Sequence, residues 1–116
     1  IKNIINDTLN LRLHKWQTKR KTNMNDDVRE TLIILQEECN EVAKEICKIM
    51  RYGPDQIKPG TDLTNIQHLE RELGDLMAMV ELLQDANVGV TPKGMNKAKK
   101  KKFEKLKQWS NLKINK

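Results

Sequence analysis

The sequence contains few aromatic residues, few cysteines and no long apolar run. Its four aromatic residues are too few for the base-stacking platforms typical of single-strand nucleic-acid binding. No apolar run approaches the roughly 18 residues that suggest a membrane span, and we find no signal-peptide pattern. Cys39 and Cys47 lie on one predicted helix, about 12 Å apart and too far to form a disulfide. We therefore expect reduced, buried thiols in a cytoplasmic protein that has no membrane partner.

Charge is unevenly distributed along the chain. Residues 93–116 contain ten lysines and one acid, so they carry +9, whereas the first 92 residues carry −3 within a total of +6. Only 37% of the 116 residues are hydrophobic, which gives a lone chain a thin core. We therefore expect one domain over residues 1–116 with a basic C-terminal helix over about 92–110, and a core completed by a second copy.

The spacing of apolar residues predicts four helices and no strand. The first covers about residues 4–19. The second starts at an Asp27 cap paired with Glu30 and stops where Gly53 adopts the left-handed conformation. The third helix is expected to start at a cap formed by Thr61 or Thr64. The fourth is expected to start at Thr91, with Pro92 at its first helical position. The predicted fold is therefore an all-α, four-helix bundle.

Apolar stripes run along the two middle helices. The second helix carries seven such residues: Val28, Leu32, Leu35, Cys39, Val42, Ile46 and Ile49. The third carries another seven: Ile66, Leu69, Leu73, Leu76, Met77, Val80 and Leu83. Because a short connection makes neighbouring helices antiparallel, we expect these stripes to pack against each other.

Two pairs of acids border these stripes. Glu38 and Glu41 lie three residues apart on the second helix, and Glu72 and Asp75 repeat this spacing on the third. If the stripes pack, the four carboxylates line the edge of one interface, where they repel each other unless a cation neutralises them. An all-oxygen set suits Mg²⁺ or Mn²⁺ and, through Mg²⁺, phosphate chemistry.

Two alternatives to a metal enzyme remain at this point. Each acidic pair could be a solvated helix face balanced by Lys44, Lys48 and Arg71. In that case the protein is a helical interaction protein without catalysis. The basic C-terminal segment alternatively suggests a nucleic-acid-binding module, although the acidic body would repel DNA. Chelation by EDTA would distinguish metal-dependent hydrolysis from lysine-driven binding.

The acidic pairs belong to longer motifs. Residues 37–42 contain E-E-x-x-E, and residues 72–75 are E-L-G-D. Both resemble the signature of MazG-like nucleoside triphosphate pyrophosphohydrolases over about residues 32–83, and residues 105–110 are similar to the tail of small phage-type members. The resemblance implies an all-α fold related to that of dimeric dUTPases. It also implies a protein of the cytoplasm of a bacterium or of a phage-infected host cell.

The resemblance also implies an activity and a site. The reaction is hydrolysis of a nucleoside triphosphate, ribose or deoxyribose, to the monophosphate and pyrophosphate. Mg²⁺, with Mn²⁺ as a possible substitute, is held by the four carboxylates: Glu38, Glu41, Glu72 and Asp75. Glu38 or Glu41 accepts a proton from water, and Glu37 is an extra acid of the motif. The working unit is a homo-oligomer, either a dimer or a tetramer.

Basic residues outside the motifs are candidates for holding the triphosphate. Lys48 and Arg51 follow Glu41 on the same helix. Three C-terminal lysines recur every four residues and form one basic face: Lys97, Lys101 and Lys105. Trp109, like Trp16, could stack on a base, although tryptophan at helical spacing more often lies in a core. His14 and His68 are interpreted as surface or structural residues.

Overall fold

The chain folds into α-helices joined by short loops. The computed structural model describes residues 24–116, and the first predicted helix, Trp16 and His14 lie outside this range. The helices are α1 (Asp26–Tyr52), α2 (Asn65–Asp85) and α3 (Pro92–Trp109). Between residues 24 and 116 there is no β-strand, only an isolated bridge between Ile57 and Thr64. The all-α prediction is confirmed, as are three of the four helices.

The cap of helix α1 lies two residues before the predicted one. Asn25 has an extended backbone, and its side-chain oxygen accepts a 2.9 Å hydrogen bond from the Val28 amide. The prediction that Asp27 caps the helix was therefore wrong. Asp27 instead lies in the first turn, where a negative charge interacts favourably with the helix dipole. The stop at Gly53 is confirmed: its φ is +91°, and its amide donates to Ile49 at 2.8 Å.

Helices α2 and α3 start at predicted caps. The Thr64 hydroxyl accepts from the Gln67 amide at 3.3 Å, and the Gln67 side chain accepts from the Thr64 amide at 2.9 Å. Thr91 accepts from the Gly94 amide at 3.0 Å. These caps satisfy amide groups that a helix leaves unpaired at its start. They therefore fix where both helices begin.

A compact loop reverses the chain between α1 and α2. The buried Asn65 side chain donates to the Gly53 carbonyl at 3.0 Å. The Asn65 backbone amide donates to the Gln56 carbonyl at 2.9 Å. These bonds hold the first turn of α2 against the end of α1. The two helices consequently pack antiparallel along their length.

The α1–α2 interface uses only half of each predicted stripe. The inward row of α1 is Val28, Leu35, Glu38, Val42, Glu45 and Ile49. The inward row of α2 is Asn65, Leu69, Glu72, Leu76, Met79 and Leu83. Among the described hydrophobic side chains, only Val28 and Leu83 are buried. Residues 24–116 of a single chain therefore form only a very small core.

The other half of each stripe faces outward. Leu32 and Ile46 on α1, and Ile66, Leu73 and Met77 on α2, are exposed. Cysteines were predicted to be buried, and this prediction was wrong. Cys39 and Cys47 are both free and exposed, because they lie on the outer side of α1.

Helix α3 contacts α2 mainly through its first turns. The Gln84 side-chain amide lies 3.0 Å from the Met95 sulfur. Along α3, Trp109 is 84% exposed, whereas Phe103 and Leu106 are half-buried. No helix within residues 24–116 is long and apolar enough to cross a membrane.

Candidate metal centre

Three carboxylates converge at the α1–α2 interface. One oxygen each from Glu38, Glu72 and Asp75 lies within 4.8 Å of the other two. Glu38 and Glu72 occupy the inward rows of their helices and are half-buried, whereas Asp75 is exposed at the edge. The convergence follows from the antiparallel packing, since the i, i+3 pair of α2 lies opposite Glu38.

Glu38 is at the centre of this negative charge. Partial removal from water raises the pKa of the Glu38 carboxyl above its usual range. The negative charges of Asp75, Glu72, Glu41 and Glu37, in decreasing order, raise it further. Glu38 therefore resists ionisation in the metal-free protein, and a bound cation would relieve this resistance.

Glu41 lies beside the group of three rather than within it. It is half-buried, and it is close enough to Glu38 to affect its pKa. Its oxygens do not meet the 4.8 Å separation that the other three satisfy. Glu37 is exposed. The structure thus brings together three of the four residues that the sequence identified as ligands, with Glu41 one helical turn away.

The donor set suits a hard divalent cation. All three side chains offer oxygen and none offers nitrogen or sulfur, which favours Mg²⁺ or Mn²⁺ over zinc. Ligands at 2.0–2.1 Å in an octahedral site lie about 3 to 4 Å from each other. The separations of up to 4.8 Å therefore need only small side-chain rotations, and the exposed Asp75 can provide them.

Glu45 is a buried carboxylate that the sequence reasoning missed. It is 3% exposed, and its Oε1 lies 3.3 Å from the Lys48 ammonium. Its Oε2 has no hydrogen-bond partner in the described chain. Glu45 follows Glu38 by seven residues, the same repeat that places Leu35 and Val42 in the inward row. That repeat is the signal that could have revealed it.

The candidate phosphate-binding residues are dispersed. Lys48 is half-buried and paired with Glu45. Arg51 is exposed, with its guanidinium 5.3 Å from the centre of the Tyr52 ring. The candidates on α3 are all exposed and lie outside the three-carboxylate group: Lys97, Lys101, Lys105 and Trp109.

Comparison with known proteins identifies the family. A family model described as the MazG nucleotide pyrophosphohydrolase domain matches residues 27–108. The chain belongs to this family. The matched range contains α2 and all but one residue each of α1 and α3, so the MazG domain includes the three-carboxylate group and the predicted motifs. Searches of curated proteins and of solved structures returned no match.

Proposed function

We propose that this MazG domain hydrolyses nucleoside or deoxynucleoside triphosphates to monophosphates and pyrophosphate in the presence of Mg²⁺. The observation that carries the proposal is the convergence of Glu38, Glu72 and Asp75 within 4.8 Å. An oxygen-only group in a nucleotide pyrophosphohydrolase family matches what magnesium and polyphosphate require. The bond that breaks is proposed from the family resemblance.

In this proposal the carboxylates bind the metal ion, and one of them also accepts a proton. Glu38, Glu72 and Asp75 hold the ion, and Glu41 completes the set as a fourth ligand. When bound, Mg²⁺ neutralises charge on the phosphates and makes a water molecule more acidic. The proton of the attacking water passes to Glu38 or Glu41, the two glutamates of α1 beside the site.

Cations on α1 would hold the phosphates. Lys48 lies seven residues after Glu41, and its side chain bends back along the helix to contact Glu45 at 3.3 Å. Helical side chains lean toward the N-terminus, so the Lys48 ammonium lies on the Glu41 side of its own backbone position. Arg51, one turn further on, is exposed and would leave the Tyr52 ring to reach a longer phosphate chain.

We propose that the working unit is a dimer or a larger assembly. Large hydrophobic side chains are exposed on all three helices: Leu32, Ile33, Ile46, Met50, Ile66, Leu73, Met77, Leu82, Met95 and Trp109. Burial of apolar surface contributes about 25 cal/mol per Å². A second copy that covers these residues would enlarge the small core that residues 24–116 form within one chain. Light scattering should show at least a dimer at working concentration, and a monomer would contradict the proposal.

A nucleotide panel tests the proposed reaction. Ribonucleoside and deoxyribonucleoside triphosphates are incubated with Mg²⁺, and the products are separated by ion exchange. We expect monophosphate and pyrophosphate, with activity abolished by EDTA. Glu72→Gln should be inactive, whereas Glu30→Gln, an exposed glutamate of α1 outside the site, should match the parent. Diphosphate as product, or activity that persists in EDTA, would refute the proposal.

A further inference from the structure

Glu45 places a charge in the interface between α1 and α2. It is buried in the inward row of α1, where Val42 and Ile49 are its neighbours along the row. Its Oε2 accepts no hydrogen bond from residues 24–116. A buried polar atom without a partner lowers stability, whereas a leucine in the same row would bury apolar surface. The stability of the α1–α2 hairpin therefore does not account for a carboxylate at this position.

Glu45 forms an ion pair with Lys48. The Lys48 ammonium donates to Glu45 Oε1 at 3.3 Å, and 25% of the Lys48 side chain is exposed. The buried carboxylate is therefore the fixed member of the pair, and the lysine is the member that reaches solvent. Because a partly buried pair is screened less than a surface pair, Glu45 restricts the positions that the ammonium can occupy.

Lys48 lies on the same side of α1 as Glu41, toward the C-terminal end of the helix. Seven residues make nearly two turns, so the two positions are about 20° apart around the helix and about 10 Å apart along it. The contact with Glu45 directs the Lys48 side chain toward the helix N-terminus, on the Glu41 side of its own backbone position. A phosphate chain that extends from the three-carboxylate group along this side of α1 would therefore reach an ammonium group that is already in place.

We infer that Glu45 is a positioning residue that orders Lys48 for the phosphates of the substrate. The inference rests on the proposed function, because that function supplies the phosphates. Ordering a flexible side chain on binding weakens affinity by about two- to tenfold, and Glu45 imposes this order before the substrate arrives. An ammonium group has three donors. Glu45 accepts from one of them, so two remain for phosphate oxygens.

Replacement of Glu45 by leucine tests this role. Glu45→Leu should raise KM for a nucleoside triphosphate by about two- to tenfold and change kcat by less than about twofold. In EDTA the variant should melt at or above the parent, because apolar replacement of a buried ion pair is often neutral or stabilising and Lys48 can extend to water. A merely structural residue would instead lower stability and kcat together. Glu30→Leu, which removes an exposed glutamate from the same helix, is the matched control and should leave KM unchanged.

A double-mutant cycle shows whether Glu45 acts through Lys48. In a protein that already carries Lys48→Met, the change Glu45→Leu should not raise KM further. Lys48→Met alone leaves a buried carboxylate unpaired, so circular dichroism verifies that it folds. If it does not, Lys48→Met with the neutral Glu45→Gln takes its place in the cycle. Effects on KM that simply add would overturn the inference. So would a lower KM in Glu45→Leu, because repulsion between Glu45 and the phosphates would then outweigh its ordering of Lys48.

Binding of inorganic tripolyphosphate with Mg²⁺ separates this inference from the proposed reaction. By calorimetry, Glu45→Leu should bind tripolyphosphate about two- to tenfold more weakly than the parent, and Glu30→Leu should match the parent. If the parent hydrolyses no nucleotide but this difference in binding is found, the proposed reaction fails and the positioning role stands. If hydrolysis occurs but Glu45→Leu changes neither KM nor tripolyphosphate binding, only the positioning role fails. A parent that neither hydrolyses nucleotides nor binds tripolyphosphate would overturn both.

Discussion

Glu38 shows how the surroundings of a single residue disfavour its charged form. It lies half-buried in the α1–α2 interface, and its pKa is raised by desolvation and by the surrounding acids. An ordinary interface position would carry a leucine here. The charged carboxylate is expected to weaken the metal-free fold, and under the proposed function a bound cation would offset this effect.

The metal-free protein is expected to lose stability as the pH rises. Because the pKa of Glu38 is higher in the folded chain than in the unfolded one, the folded state binds more protons. This contribution is present at low pH and is lost as the pH rises through the raised pKa. In EDTA, Glu38→Gln should melt above the parent at about pH 7 and close to it near pH 4. A melting difference that is constant with pH would contradict this origin.

Substitution of the other acids of the site should lower activity without lowering the stability of the metal-free protein. Asp75→Asn and Glu41→Gln remove one charge from a repulsive group. We expect each to lower kcat/KM by about 100-fold or more and to fold as well as the parent, or better, without metal. Asp85→Asn, near the end of the same helix as Asp75, is the control. Thermal melts in which the site variants are clearly less stable than the parent would count against this explanation.

At the scale of the helix, Gly74 occupies a position that no contact among residues 24–116 explains. It lies inside α2, next to Asp75, and a methyl group added there would contact nothing within 4 Å. Glycine within a helix is about 0.5–1 kcal/mol less favourable than alanine. Gly74→Ala should therefore stabilise the isolated chain by about this amount in chemical denaturation. A loss of stability instead would show that another chain packs against this position.

Helix ends were largely readable from the sequence. Thr64 with Gln67, and Thr91 with Pro92, are local signals whose geometry involves only three or four consecutive residues. Asp27 was chosen wrongly because residues 25–27 are all good capping types. Which of them takes the extended backbone depends on the chain before it.

Which apolar residues of each helix face inward was harder to predict from the sequence. The predicted stripes contain two apolar rows, and the single chain covers one of them. Leu35 and Val42 face inward while Leu32 and Ile46 face outward, yet all four fit helical spacing. Burial of the second row depends on a partner surface, and Glu45 was missed because a buried carboxylate breaks the hydrophobic pattern.

At the scale of the molecule, α3 makes few contacts with the α1–α2 hairpin that holds the carboxylates. It contacts α2 mainly near Met95, and its remaining turns are largely exposed. Truncation after Gly94 should keep α1 and α2 helical but raise KM more than it lowers kcat, because the lysines attract the phosphates before reaction. The difference in KM should shrink as salt is added. A folded truncation with unchanged KM at low salt would exclude this role for α3.

The loop between α1 and α2 also has consequences for how the protein forms. Residues 53–64 join two helices that pack side by side, so the native contacts of the hairpin link residues close in sequence. Such low contact order permits folding in microseconds to milliseconds. Association of copies is bimolecular and slows as protein is diluted. After dilution from denaturant, helical signal should therefore return at once, whereas activity should return with a lag that lengthens at lower protein concentration.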